Sequence, residues 1–234
     1  GYRPKENWYV LLAACFSELK DKKIISAQFA LEQQVGIYEI LVNYYPKKLY
    51  FLQLGGTYQQ MDREEDYMLT LKAAYEKDFL DKEGEYLALA QMLLLKKNPY
   101  WAAQVLVAGQ QKKVTITDED TGEEEVVAVV KDKEKTLKLL ADAWRMAQEI
   151  DKAIPVLEKA AKMSKDGDTY VLLGNLYLFE DRMEDSIRAI EAGLKKAKVK
   201  SRSQALLVLG QAHFELQNFE AVSYTHLRAH ETFA

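Results

Sequence analysis

Side chains able to do chemistry are sparse in this chain, and none of them has the company that chemistry needs. Of 234 residues, three are histidine and one is cysteine. Cys15 stands between Ala14 and Phe16 on an apolar helical face and reads as buried packing. A thiol nucleophile would need an imidazole to take its proton, and no histidine is near it in sequence. His213 recurs where other stretches carry Tyr or Trp, so it reads as a core substitute for an aromatic and not as a general base. His226 and His230 are four apart, on one side of a helix, but two ligands alone make a poor metal site. Asp118, Glu119, Asp120, Glu123, Glu124 and Glu125 lack the alternate spacing and closing Glu of a calcium loop, and read as a solvated acidic tip. Gly55-Gly56 has no strand before it and no GK[ST] after it, which rules out a phosphate loop. The expectation is a non-enzyme: no catalytic residue, no metal and no cofactor.

What the sequence does contain is repetition. The stretch 137–196 holds the same pattern twice. Leu140-Ala141 is followed by Trp144, then Ala153, Leu157 and Ala160; Leu173-Gly174 is followed by Tyr177, then Ser186, Ile190 and Gly193. The two sets lie 33 residues apart. Each set puts a large, a small and an aromatic residue at helical spacing, then small-large-small on a second helix. The small positions let two antiparallel helices approach, and the large ones fill the gap to the next pair. This pattern resembles the tetratricopeptide (TPR) repeat, whose period is ~34 residues. One such pair cannot bury its own apolar face, so pairs must stack.

The same register runs in both directions. Units are expected near 7–46, 49–81, 84–113, 135–165, 168–198 and 204–221, the last a half repeat. The first, with Leu12-Ala13 and Phe16, carries surplus residues around 22–33, which lengthen its second helix or the turn before it. In the second, Tyr67 takes a position that is usually small and should splay the pair. In the third, Asn98-Pro99 supplies a cap and a first helical residue with φ already set. Between the third and fourth units lies an insert, 113–131. Val114 and Ile116 alternate with Thr115 and Thr117, a β-branched run covers 126–130, and Asp120-Thr121-Gly122 marks a tight turn: a β-hairpin with an acidic tip. The run 222–232 resembles the translation of a sequencing adapter, so 222–234 is expected to be a non-native, poorly anchored tail that breaks the helical pattern. The predicted fold is therefore all-α, a right-handed α-α solenoid of five helix pairs plus a half repeat, occupying 1–221 and interrupted by one hairpin.

Composition agrees. Hydrophobic residues make up 48% and charged residues 29%, a foldable mixture, and the net charge of −4 offers no basic face for nucleic acid. No apolar run reaches the ~18–20 residues that span a bilayer. The chain opens on Gly1 and not on Met, so the natural N-terminus, with any signal peptide, is expected upstream.

By resemblance to TPR arrays, the first helix of each pair lines a concave groove. The register puts Leu52, Gly56, Gln59 and Gln60 there, then Leu87, Gln91, Leu94 and Leu95, then Lys138, Asp142, Arg145 and Met146. The last two units add Val171, Asn175, Leu178 and Phe179, and Leu207, Gln211 and Phe214. Apolar residues with a few amides suit a helix or an extended segment of a protein partner. The Lys/Asn/Arg clamp that some TPR domains use for a C-terminal carboxylate is not assembled, because Lys138 is followed by Asp142 and the next unit offers Asp168.

From 49 to 220 the likeness is closer than the generic repeat. The run AAYEKDFLDKEGEYLALAQMLLLKKNPYWAAQVL, then LADAW and VLEKAAKM, resembles the TPR protein encoded beside TonB–ExbB–ExbD clusters. The resemblance implies a periplasmic adaptor that assists TonB-dependent outer-membrane transport, with TonB, ExbB or ExbD as partners. Two other readings stand beside it: a cytoplasmic TPR assembly factor or regulator, and an accessory repeat domain of a larger enzyme.

Overall fold

The computed structural model describes residues 5–117, 122–196, 198–200, 202–223 and 225. The chain divides into two compact units, 1–96 and 97–234, each taken by itself. The first holds α1 (Glu6–Asp21), α2 (Ala27–Tyr44), α3 (Lys48–Gln60), α4 (Glu64–Glu76) and α5 (Glu83–Leu95). The second holds α6 (Pro99–Gln111), a hairpin of β1 (Lys113–Thr117) and β2 (Glu124–Ala128), then α7 (Glu134–Met146), α8 (Ile150–Met163), α9 (Asp168–Phe179), α10 (Met183–Leu194) and α11 (Arg202–Glu215). The surplus of the first repeat is taken up by α2, which at 18 residues is the longest described helix.

One turn chemistry closes the pairs. Asp62, Gln148, Asp181 and Gln217 sit at φ between 55° and 62°, a left-handed conformation uncommon outside glycine that the turn imposes. The N–H one residue further on reaches back to the carbonyl of the aromatic position. Arg63 donates to Tyr58 O at 2.9 Å, Glu149 to Trp144 O at 2.9 Å, Arg182 to Tyr177 O at 2.8 Å and Asn218 to His213 O at 2.8 Å. These are six-to-one closures that satisfy a helix-end carbonyl and turn the chain back antiparallel. Asn98 does precede Pro99 at the first position of α6, but its side chain makes no capping bond. With Pro at the first helical position, one of the orphan N–H groups is already removed.

Close approach is set by the small positions. A Cβ on Gly174 would lie 2.6 Å from Ile190 Cγ1 and Cδ1, while Ser186 Oγ donates to the Gly174 carbonyl at 2.8 Å. Only a residue without a side chain lets α9 and α10 meet there. In the second repeat the sizes are exchanged. The Tyr67 ring packs over Gly55, 3.2 Å from where a Cβ would be, so glycine on α3 makes room for the bulk on α4.

The hairpin pairs Lys113 with Ala128 through Thr117 with Glu124, antiparallel, and Gly122 has φ 71°. Of its acidic tip, Asp118, Glu119, Asp120 and Thr121 lie outside the described residues; Glu123, Glu124 and Glu125 are exposed. Its exit is tied to its entry: Val129 N–H donates to Lys112 O at 2.9 Å and Val130 N–H to Gly109 O at 3.0 Å, and both valines are buried.

A polar network recurs at the pair junctions. Tyr58 Oη donates to Glu39 at 2.6 Å, and the Arg63 guanidinium lies 4.7 Å from the Tyr58 ring centre while pairing with Asp66 at 2.8 Å. In the second unit Tyr177 donates to Glu158, and Arg182 lies 4.5 Å over the Tyr177 ring while pairing with Asp185 at 2.6 Å. Burial, then the carboxylate bond, pushes both phenols well above the usual tyrosine range. Trp144 plays the same part with Lys152, 4.8 Å from its ring.

Candidate partner-binding surfaces

Leu52, Gly56 and Gln59 are brought together. They line a hollow of about 180 Å³ in the first unit, with Phe51 and Gly55 of the same helix, Tyr67, Leu71 and Ala74 of α4, and Phe79 and Leu80 before α5. Helical spacing puts Leu52, Gly56 and Gln59 on one stripe of α3, and the space over Gly56 is open: a Cβ there would meet nothing within 4 Å. The floor is apolar. The rim carries Lys48, which pairs with Asp81 and lies 3.8 Å from Glu85. Gln59 is exposed at the edge, and Gln60 Nε2 bonds its own helix at Gly56 O, 3.2 Å. On α5, Leu87 and Leu94 are half-buried and Gln91 and Leu95 exposed; none of the four lines the hollow.

The fourth repeat differs from a ligand clamp. Lys138 pairs with Glu134 at 2.7 Å and Arg145 with Asp142 at 3.3 Å, so the charges are engaged along their own helix, while Met146 is exposed. In the fifth, Val171 is a correction. It is buried in the core with Ile190, Ala205, Val208 and Leu209, because α11 covers that side of α9. Leu178 packs against the same cluster, and Asn175 Nδ2 donates to its own helix at Val171 O, 2.8 Å. Phe179 alone of that set stands fully out.

Leu207, Gln211 and Phe214 line a second, strongly apolar hollow of about 360 Å³ with Leu206, Gly210, Val222 and Thr225. Phe214 meets Phe219 edge-on, ring centres 5.9 Å apart. Residues 219–223 are helical, the last two of them in the run expected to break the pattern, and Thr225 is buried beside Gly210, its hydroxyl bonding Ala221 O and Val222 O at 3.1 and 2.9 Å. The remaining tail, with His226 and His230, lies outside the described residues. Cys15 is a second correction: it is exposed, because among the described residues no helix lies over its face of α1. His213 is half-buried, with Nδ1 enclosed and without a hydrogen-bond partner among the described residues.

Comparison of the sequence with protein-family models and with curated proteins finds no match. Solved structures do match. The crystal structure of MamA is 17% identical over 76% of this chain and 93% of that one, with a TM-score of 0.56. A second MamA structure, described as MamA AMB-1 P212121, is 16% identical, covering 79% of this chain and 90% of that one, with a TM-score of 0.57. YrrB, described as a TPR protein with an unusual peptide-binding site, is 11% identical over 85% of this chain and 88% of that one, with a TM-score of 0.51. At these identities the likeness speaks to the backbone alone, and there it agrees with the repeat spacing, the turn closures and the small-large packing: the chain has a TPR-like fold, an all-α solenoid with one inserted β-hairpin.

Proposed function

We propose that the chain is a non-enzymatic scaffold that captures a protein segment by seating one of its apolar side chains in the hollow over Gly56. The observation that carries this is the open apolar hollow at a helix position where a glycine leaves unfilled space. A volume of about 180 Å³ suits a single leucine-sized or aromatic side chain, and exposed Gln59 at the rim can bond the backbone of an extended segment. The structural likeness to YrrB, itself described as having a peptide-binding site, supports the same class of ligand.

On the resemblance of the run from AAYEKDF to AAQVL, we further propose that the partner belongs to the TonB–ExbB–ExbD system and that the protein works in the periplasm. The test has two arms. A displayed random-peptide library is selected on the chain and counter-screened on Gly56→Leu, which fills the hollow from an open position. Enriched peptides should share an apolar anchor and lose at least tenfold in affinity on the variant; equal binding to both proteins would remove the hollow from the mechanism. Calorimetry with the purified periplasmic parts of TonB and ExbD tests the partner. Heat lost in Gly56→Leu supports the assignment, and no heat with either protein refutes it while leaving the first arm standing.

A further inference from the structure

The hollow over Gly56 has an apolar floor, yet two polar groups of its wall are left without a hydrogen-bond partner. Lys48, Tyr67 and Glu85 all line it. Lys48 is held by Asp81. Glu85, its side chain only 13% exposed, turns Oε2 to the backbone N–H groups of Asp81 and Lys82 at 3.0 and 3.1 Å, which caps the start of α5. Its other oxygen, Oε1, accepts no hydrogen bond among the described residues, and Lys48 Nζ stands off from it at 3.8 Å. The Tyr67 phenol likewise bonds to nothing among the described residues, although the charge on Glu85 adds to the burial that raises it above the usual tyrosine range.

A largely buried carboxylate oxygen without a donor is costly, and elsewhere this chain meets that need with one device. Tyr50 donates to Glu6, Tyr58 to Glu39 at 2.6 Å and Tyr177 to Glu158. Each time a phenol lies against apolar neighbours and gives its hydroxyl proton to a glutamate. No tyrosine of the described chain does this for Glu85. Charge narrows what can. One ammonium against two carboxylates leaves the cluster of Lys48, Asp81 and Glu85 net negative, so a carboxylate or phosphate tip is repelled. A lysine tip would bring a second ammonium beside Lys48, would be stripped of water, and could not accept a bond from Tyr67. A phenol meets every demand. Its O–H donates to Glu85 Oε1, its lone pairs accept from Tyr67 Oη, and its ring fills the apolar space. We propose, on the footing that the hollow is where the partner binds, that the anchor is a tyrosine and that Glu85, seconded by Tyr67, selects it over phenylalanine and leucine.

Displayed nonapeptide pools with the central residue fixed as Tyr, Phe, Leu or Lys, selected on the full chain, test this. The Tyr pool should be enriched over the other three. Synthetic peptides drawn from it should bind about tenfold more tightly than their Tyr→Phe counterparts, as a charge-assisted bond to a carboxylate allows. Glu85→Gln keeps an oxygen for the cap of α5 but removes the charge, so the ratio of Tyr to Phe affinity should fall to about threefold or less while the Phe peptides bind as before. Tyr67→Phe keeps the ring over Gly55 and should lower the same ratio by a factor of about three. Should Glu85→Gln unfold, Tyr67→Phe decides alone. A ratio near one on the wild type overturns the proposal, as does a ratio that Glu85→Gln leaves unchanged, or a leading Lys pool. Phe or Leu peptides that lead and are lost in Gly56→Leu refute the tyrosine while the hollow stands. Binding indifferent to Gly56→Leu in every pool removes the hollow, and the proposal with it.

Discussion

Two glycines at equivalent depth in their helices should respond to alanine in opposite directions. Alanine in a helix interior is favoured over glycine by about 1 kcal/mol, from lower backbone entropy in the unfolded chain. At Gly56 nothing opposes that gain, since the new methyl would meet no atom within 4 Å. Gly56→Ala should therefore stabilise the first unit by about 0.5–1 kcal/mol. At Gly174 the same methyl would sit 2.6 Å from two carbons of Ile190 and 3.2 Å from Ser186 O. Ile190 is fully buried and has nowhere to move, and overpacking of this kind costs about 1–3 kcal/mol. Gly174→Ala should be destabilising by up to about 2 kcal/mol after the propensity gain is subtracted, because the 2.6 Å approach to Ile190 puts the cost at the upper end. Urea titration followed by circular dichroism at 222 nm resolves both, with midpoint shifts of roughly 0.5 M in opposite senses. If Gly56→Ala is destabilising, something covers that position and the hollow is not open to a ligand. If Gly174→Ala is neutral, α9 and α10 do not approach as closely as their packing implies.

Removing the phenol from either junction network, in Tyr58→Phe or Tyr177→Phe, should cost about 1 kcal/mol in a denaturant titration, the net worth of a hydrogen bond to a partly solvated carboxylate; a change below 0.3 kcal/mol in both would make the networks incidental. The buried phenols also predict alkaline sensitivity. Tyr50 and Tyr86 are pushed up to about 12, first by burial, whereas an unfolded tyrosine ionises near 10, so the stability they lend is complete below pH ~10 and is lost between there and 12. Helicity followed across that window should fall; a flat trace to pH 12 contradicts it. On the acid side, Glu6 is held below the usual carboxylate range by hydrogen bonds from Lys47 and then Tyr50, so its contribution is complete at neutral pH and is lost progressively as the pH falls below about 4 and through its lowered value. In thermal melts, the deficit of Glu6→Gln relative to wild type should be full at pH 7 and shrink progressively as the pH is lowered below about 4. Finally, Val171→Asp should melt the second unit while Phe179→Asp leaves its melting temperature within a degree or two, and equal losses would mean that the burial of Val171 and the exposure of Phe179 are misplaced.

The repeat was legible because its determinants are local. Leu173, Gly174 and Tyr177 on one helix and Ser186, Ile190 and Gly193 on the next are spaced by helix geometry, so counting residues recovers the packing. The hairpin was legible for the same reason, through the alternation of Val114 and Ile116 with Thr115 and Thr117. The junction networks carried a signal that was missed. Tyr58-x4-Arg63-x2-Asp66 recurs as Tyr177-x4-Arg182-x2-Asp185, each with a glutamate 19 residues before the tyrosine. The site was less legible because lining a groove and packing in a core use the same side chains. Val171 is apolar on a first helix, as Leu52 is, and only the presence of α11 over one of them decides their fates. Cys15 failed in the opposite direction: its neighbours are those of a core residue, and its exposure depends on a helix that no described segment supplies.

The hairpin between α6 and α7 leaves and rejoins the helical array at one place. Val129 and Val130 bond back to Lys112 and Gly109, so the ends of the excursion are held at the end of α6 as well as by the strand ladder. The helices are therefore indifferent to how long the excursion is. Loop entropy grows only slowly with length, so residues can be gained or lost at the acidic tip at little thermodynamic expense. A decoration attached this way can diverge quickly while the scaffold beneath it keeps its register, and relatives of this chain should differ most where strand and tip protrude and least at the two valines that close them off.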